Sequence, residues 1–455
     1  MNKNTHLKKE LGLVIATALV VGNMVGSGIF MLPATLASSS GPGATMIAWI
    51  LTGIGSIFLA LSFGKLGSKI PKTGGPYEFS KLAFGDFMGF MNAWLYWNAS
   101  WIGNAAIITS VASYTGKLFP IIANNKLAAF LYTSAILWIF TLVNVMGVKK
   151  AGIAQTATTI IKVVLFTIFV ALTAYHFNPE YIRPAFPQGK GVETIPAAAA
   201  ATLWAFTGFE SASVTAGEIK NPERNIKLST ILGMIISVII YMAISFFAMG
   251  AMPQDALANS SSPIVDILAQ YLGSGVTNII LIVSVLGIMG TAMGWIMSTA
   301  RMSYAAGEDG VFPEIFAKVH PKYNTPHASL IIGSVLVNIL LVMNYSKSML
   351  AAFNFIMILA TLAYLPVYAS TAAAEIMLLV KCEGKFNLWK FIKASIVPLM
   401  GFAYATWAVY GAGAEVVMYG FLLMLFGVPF YLYVRLKDSV KMKQIRSFEE
   451  EKLSA

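Results

Sequence analysis

Residues 11–36 read Leu11-Gly-Leu-Val-Ile-Ala-Thr-Ala-Leu-Val-Val-Gly22-Asn-Met-Val-Gly26-Ser-Gly28-Ile-Phe-Met-Leu-Pro33-Ala-Thr-Leu36. As a helix this stretch is long enough to cross a membrane, since about 20 apolar residues span a hydrocarbon core of about 30 Å. Gly26-Ser27-Gly28 interrupts its middle. A second apolar stretch, residues 195–218, is interrupted at Thr207-Gly208. Unwinding inside a bilayer strips partners from amides and carbonyls at several kcal/mol each, so a broken helix persists only where those groups line a cavity or bind something. Two such breaks, one in each half of the chain, point to a secondary transporter with its site near the midplane.

Composition agrees with a membrane protein. Of 455 residues, 57% are apolar and 11% charged. About twelve stretches are long enough to span, near 11–36, 43–63, 86–118, 127–147, 153–175, 195–218, 228–250, 273–302, 328–344, 349–379, 393–412 and 415–435. The net charge of +11 invites a nucleic-acid reading, but the positions of the 31 Lys and Arg residues exclude it. The amino terminus, alternate loops and the tail hold 25 of them, the opposite loops 5, and Lys162 alone falls inside a span. That asymmetry is the positive-inside signature and predicts a multi-pass protein of the cell (plasma) membrane with both termini cytoplasmic.

Other compartment signals are few. MNKNTHLKKE at residues 1–10 leads straight into the broken span, so no cleavable signal is expected. Cys382 is the one cysteine, which excludes a disulfide framework and a cysteine metal cluster, and no metal site or cofactor is expected. The charged tail at 436–455 reads as a short cytoplasmic helix.

Spans one to five (about 11–175) and six to ten (about 195–379) overlay as two five-helix units, each opening with a broken helix. An odd number of spans per unit forces opposite orientations in the membrane. The expected architecture is an all-α transport core at 11–379 built from five plus five inverted helices, with helices one and six discontinuous. Two additional spans follow at 393–435.

The chemistry of the breaks follows from the backbone. Gly26 and Gly28 leave room for a ligand against the main chain. The half-helix resuming after Gly28 would offer its amino-terminal N–H groups and positive dipole end to a carboxylate. Carbonyls freed at Gly22, Asn23 and Thr207 can accept from an ammonium group. Together they form a cradle for a zwitterionic amino acid head group.

Gly22-Asn-Met-Val-Gly-Ser-Gly-Ile-Phe-Met-Leu-Pro33, with Leu203-Trp-Ala-Phe-Thr-Gly-Phe-Glu-Ser-Ala-Ser213 and Asn221-Pro-Glu-Arg-Asn225, resembles the amino acid–polyamine–organocation (APC) superfamily. Within it the chain looks most like bacterial basic amino acid/polyamine antiporters of the arginine/agmatine type. The resemblance implies a LeuT-like inverted-repeat fold, alternating access, and exchange of an amino acid for another or for its decarboxylated amine. Matched position by position, it puts substrate contacts at Asn23, Ser27, Gly28, Tyr96, Asn104, Trp204, Thr207, Gly208 and Trp295. Trp204 would close over the substrate, and Trp295 would pack its stem or take a cation on the ring. Relatives are often dimers, with spans eleven and twelve as contacts; membrane lipid surrounds the chain.

Lys162 and Glu210 are the ionisable residues placed deep in spans, and intramembrane charges mark function. Related folds put a sodium site where span five meets the broken first span. Lys162 reads as that ion's replacement, either as a fixed charge or as a titrating coupler. Glu210 follows the second break and reads as a gate or proton carrier, or as a cap for freed donors. Arginine/agmatine antiporters carry an apolar branched residue where this chain has Thr207, a serine-rich stretch where it has Phe355-Ile356-Met357-Ile358, and no lysine at 162. The expected substrate is therefore a zwitterionic amino acid, neutral or cationic, with polyamine exchange and proton symport as alternatives. No HExxH, carboxylate pair or Ser/His couple lies in a span, and no P-loop occurs, so neither an enzyme nor a nucleotide-driven pump is expected.

Overall fold

A computed structural model describes residues 7–345, 349–382 and 387–454, with side chains described except at 274, 349–361, 382 and 438–454. The first broken stretch forms α1 (Leu13–Met24) and α2 (Ser27–Ser39), followed by α3 (Pro42–Lys69). A short helix α4 (Pro76–Phe84) leads into α5 (Asp86–Leu118), and α6 (Pro120–Asn124) turns the chain into α7 (Lys126–Val145) and α8 (Val148–Tyr175). The second broken stretch is α9 (Ile195–Phe206) and α10 (Ser211–Val214), then α11 (Pro222–Ala251). After α12 (Gln254–Ala258) and α13 (Pro263–Leu272) come α14 (Ser274–Glu308), α15 (His327–Asn344), α16 (Met349–Cys382), α17 (Leu388–Gly411) and α18 (Ala414–Ser454). Proline opens α3, α4, α6, α11 and α13, where its missing N–H costs nothing and its fixed φ suits the first turn.

Among the described residues, ten segments are long and apolar enough to cross a membrane, against the twelve expected. The two others differ for identifiable reasons. α5, at 33 residues, has the length, but it carries Asn92, Asn98, Ser100 and Asn104, all buried against neighbouring helices. Its polarity faces protein, where a hydropathy window counts it as unfit for lipid. The segment 195–218 is helical for only 12 residues in α9, and beyond the break it forms the four-residue α10 and a 3₁₀ turn at Ala216–Glu218.

Burial separates centre from periphery. In the most apolar window of α1–α2, 78% of residues are buried, and in that of α14, 72%, against 6% in α18. The broken first helix and α14 form the centre of the bundle, while α18 turns Phe421, Phe426 and Leu432 outward. Gly287, Gly290 and Gly294 line one face of α14, and a Cβ there would come within 2.6 Å of Lys162, 2.0 Å of Thr158 and 2.1 Å of Asn23. Only hydrogen side chains let α1 and α8 approach α14 this closely.

Further charges are buried, among them a fully buried ion pair, which corrects the expectation that Lys162 and Glu210 stand alone. Arg301, on α14, donates to Glu218 through Nε at 2.9 Å and Nη2 at 3.0 Å, with both side chains 0% exposed. The Glu218 carbonyl accepts from the Glu10 and Leu11 amides, and the Lys220 amide donates back to Leu11, so the entry to α1 is tied to the exit of the second broken stretch. Removing one partner of a buried ion pair strands the other charge at about 3–5 kcal/mol. Arg301→Met should therefore lower the thermal unfolding midpoint of the purified protein sharply, and an unchanged midpoint would show that Glu218 finds another cation.

Candidate functional site

The first helix unwinds at Val25 and Gly26, one residue ahead of the Gly-Ser-Gly triplet, so Ser27 and Gly28 open α2. The carbonyls released there do not stand open. Lys162 Nζ, fully buried on α8, donates to Gly22 O at 3.0 Å, to Val25 O at 2.7 Å and to Thr291 Oγ1 at 2.9 Å. Thr291 in turn donates to Gly22 O at 2.8 Å, and Trp295 Nε1 donates to Asn23 O at 3.1 Å. The Gly22 and Val25 carbonyls do accept from an ammonium group, but it is the protein's own and not the substrate's, and of the three carbonyls expected from the sequence it reaches only Gly22. All three of its partners are neutral oxygens, the donor set a bound metal cation would use.

The second break is held by Glu210. Thr207 leaves the helical region at ψ 137°, and Gly208 has φ +111°, a conformation that side-chain-bearing residues rarely take. A Cβ on Gly208 would sit 3.0 Å from the Asn23 backbone, so the two breaks touch each other. The Glu210 carboxylate accepts from the Gly208 amide at 3.1 Å, from the Tyr368 hydroxyl at 3.1 Å and from the Tyr96 hydroxyl at 3.0 Å. It thus both caps a donor released by the break and joins α5, α16 and the second broken stretch. Tyr364 completes the cage: its ring meets Tyr96 edge-on, and its hydroxyl lies 2.8 Å from Ser100 Oγ.

The remaining predicted residues divide between two places. Trp204 lies over the start of α2, with its Cδ1 3.1 Å from where a Gly28 Cβ would be. α2 has no side-chain cap, and Ser27 Oγ in its first turn is buried without a partner among the described residues. This leaves an amide-rich helix terminus and a hydroxyl beneath the Trp204 indole. Asn23 is committed to packing, since its Nδ2 donates to Ser211 at 2.8 Å and Ser298 at 3.1 Å and its Oδ1 accepts from Gln155 at 3.4 Å. Thr207 Oγ1 donates to Trp204 O at 2.7 Å, and Trp295 packs 5.7 Å from Tyr364. Asn104 lines a small cavity with Trp101, Thr299, Ser329 and Ser334, and its Oδ1 has no partner among the described residues. The side chains of Phe355-Ile356-Met357-Ile358 lie outside the described residues.

The sequence missed Thr291, Gln155, Tyr364 and Tyr368. The glycines at 287, 290 and 294 share one helix face with Thr291, and that spacing was the available signal; the tyrosines gave none. Gly28→Val is expected to displace Trp204 and to lower ligand affinity at least about tenfold with little change in thermal midpoint, because the strain falls on one movable ring; titration of purified protein with amino acids would check it.

Ten apolar segments around two touching helix breaks, clamped by a buried lysine and a carboxylate, define an integral membrane protein of the kind that moves small solutes. The family model described as amino acid permease matches residues 11–432, and the chain belongs to that family. It is 33% identical to a Bacillus subtilis protein provisionally named an arginine/ornithine antiporter, over 93% of this chain and 96% of the relative. It is 30% identical to the arginine/agmatine antiporter of Chlamydia pneumoniae, over 95% and 91%. The arginine/ornithine antiporter of Pseudomonas aeruginosa shares 28% identity over 97% and 93%.

Proposed function

We propose that the protein is a secondary amino acid antiporter that binds its substrate between the two helix breaks and works by alternating access. The observation that carries this is the contact of the breaks, Gly208 against Asn23, beside an uncapped α2 terminus whose Ser27 hydroxyl has no partner among the described residues. The α2 amides and Ser27 take the substrate carboxylate. Trp204 covers it from one side. Trp295 packs the side-chain stem, and Asn104 supplies a polar end. Glu210 with Tyr96 and Tyr368 closes the opposite side, and Lys162 holds the first break in place of a metal cation.

On this reading α5 and the α9–α10 stretch also cross the membrane, giving twelve spans. The core is two inverted five-helix repeats at about 11–175 and 195–379, with 393–435 as additional spans. Both termini face the cytoplasm, the membrane is the plasma membrane, and spans eleven and twelve offer dimer contacts. The protein is a transporter and not an enzyme, as its relatives' names support. Those names favour a cationic amino acid exchanged for another or for its amine. Thr207 and Lys162 favour a zwitterion, neutral or cationic, over a polyamine, because an added positive charge near the cavity disfavours a dication.

Labelled arginine is expected to enter proteoliposomes preloaded with ornithine, agmatine or unlabelled amino acid and not those loaded with buffer. Uptake into empty vesicles driven by a proton gradient would replace exchange with proton symport. That second reading is favoured by one observation, the Lys162 amine with no acidic partner among the described residues.

A further inference from the structure

Two polar side chains continue the face of α16 that carries Tyr364 and Tyr368. Thr371 and Glu375 follow at spacings of three and four residues, which keeps all four on one side of the helix. All four are buried. Tyr368 bonds Glu210, and Glu375 lies seven residues further along, about 10 Å in helical rise. On α3 the Phe63 ring meets Tyr368 edge-on at 5.7 Å, and two residues later Lys65 Nζ donates to Glu375 Oε1 at 2.7 Å. The seam between α3 and α16 therefore runs from Glu210 to Glu375, and it opens there: Lys65 is 36% exposed while Glu375 is 3% exposed. Glu375 Oε2 and Thr371 Oγ1 have no partner among the described residues.

Joining α3 to α16 needs one carboxylate oxygen. A carboxylate is an acceptor with about four lone-pair sites, and a buried one left half-used calls for a donor. The charge of Glu375 and the hydroxyl one turn back suit the vacant oxygen to a nitrogen cation and make it hostile to another carboxylate, while Lys65 offsets part of that attraction. We propose that Glu375 is a second station for the cationic side-chain nitrogen of the substrate, ammonium or guanidinium, between Glu210 and the cytoplasmic surface. This rests on the transporter reading and its orientation.

The test is sided exchange of arginine and of alanine, measured as KM in right-side-out and everted membrane vesicles. Glu375→Gln keeps an oxygen for Lys65, which can turn to water, so the fold should survive. The expected result is a rise of about tenfold in KM for arginine at the cytoplasmic face only, the size of one lost charge-assisted hydrogen bond. Alanine is expected to be unaffected. Lys65→Met removes the competing cation and should lower the same KM, a sign opposite to that of Glu375→Gln. An unchanged arginine KM in Glu375→Gln overturns the station. So does a loss in both variants that affects arginine and alanine on both faces and tracks thermal stability, which would leave a structural pair. A wild-type protein exchanging only neutral amino acids overturns the station and leaves the transporter standing; one exchanging nothing overturns the transporter itself.

Discussion

Lys162→Ala is expected to lower exchange at least about a hundredfold. The ammonium makes three hydrogen bonds while fully buried, and bonds to a charged group contribute about 1.5–3 kcal/mol each. Without it Gly22 O keeps Thr291, but Val25 O loses its donor at the point where the helix is unwound. The lysine stem also packs against Gly287, so truncation opens a cavity between α8 and α14. Nothing then fixes the angle between α1 and α2, and the α2 terminus loses its aim. Initial rates across pH separate the two roles left open for this residue. A pH slope in the wild type that Lys162→Met abolishes assigns a coupled proton to Lys162, while equal slopes leave it a fixed charge. Full activity in Lys162→Ala would show that the break needs no clamp.

Glu210→Ala should be nearly as damaging and for a different reason. It leaves the Gly208 amide and the Tyr96 and Tyr368 hydroxyls without their shared acceptor, at about 1–3 kcal/mol for each group that stays buried and unpaired. Glu210→Gln separates capping from gating. The amide oxygen can still receive the Gly208 N–H, while the amino group opposes a tyrosine hydroxyl. If the carboxylate only caps the break, Glu210→Gln keeps most activity. If it draws α5 and α16 onto the second break to close the site, Glu210→Gln retains binding but loses turnover by about a hundredfold. Substrate binding by calorimetry beside exchange rates reads the difference, and parallel loss of both would count against gating.

Legibility followed distance along the chain. Both breaks could be found because their cause is local: small residues inside a run that is otherwise long and apolar. The limits of the third span, residues 86–118, matched α5 because Gly85 (φ +92°) and the Leu118–Phe119 junction are local punctuation. Lys162 stood out because a lone cation in a span needs a reason, but its partners could not be named. They lie 140, 137 and 129 residues away in the chain. Arg301 and Glu218 each fall at a span end, where single charges are ordinary. Their burial follows only from a pairing across 83 residues.

By itself, then, the sequence determined the solvent and the interruptions: apolar length demands a bilayer, and Gly26 and Gly208 mark where a helix can stop inside it. Tertiary structure decided what satisfies the interrupted backbone. The cradle expected for an amino acid is largely occupied by Lys162, Thr291, Trp295 and Glu210, leaving chiefly the α2 terminus and Ser27 for a ligand. The reason is the medium. Where no water reaches, every freed carbonyl or amide must find a partner, and which side chain supplies it depends on which helices are neighbours.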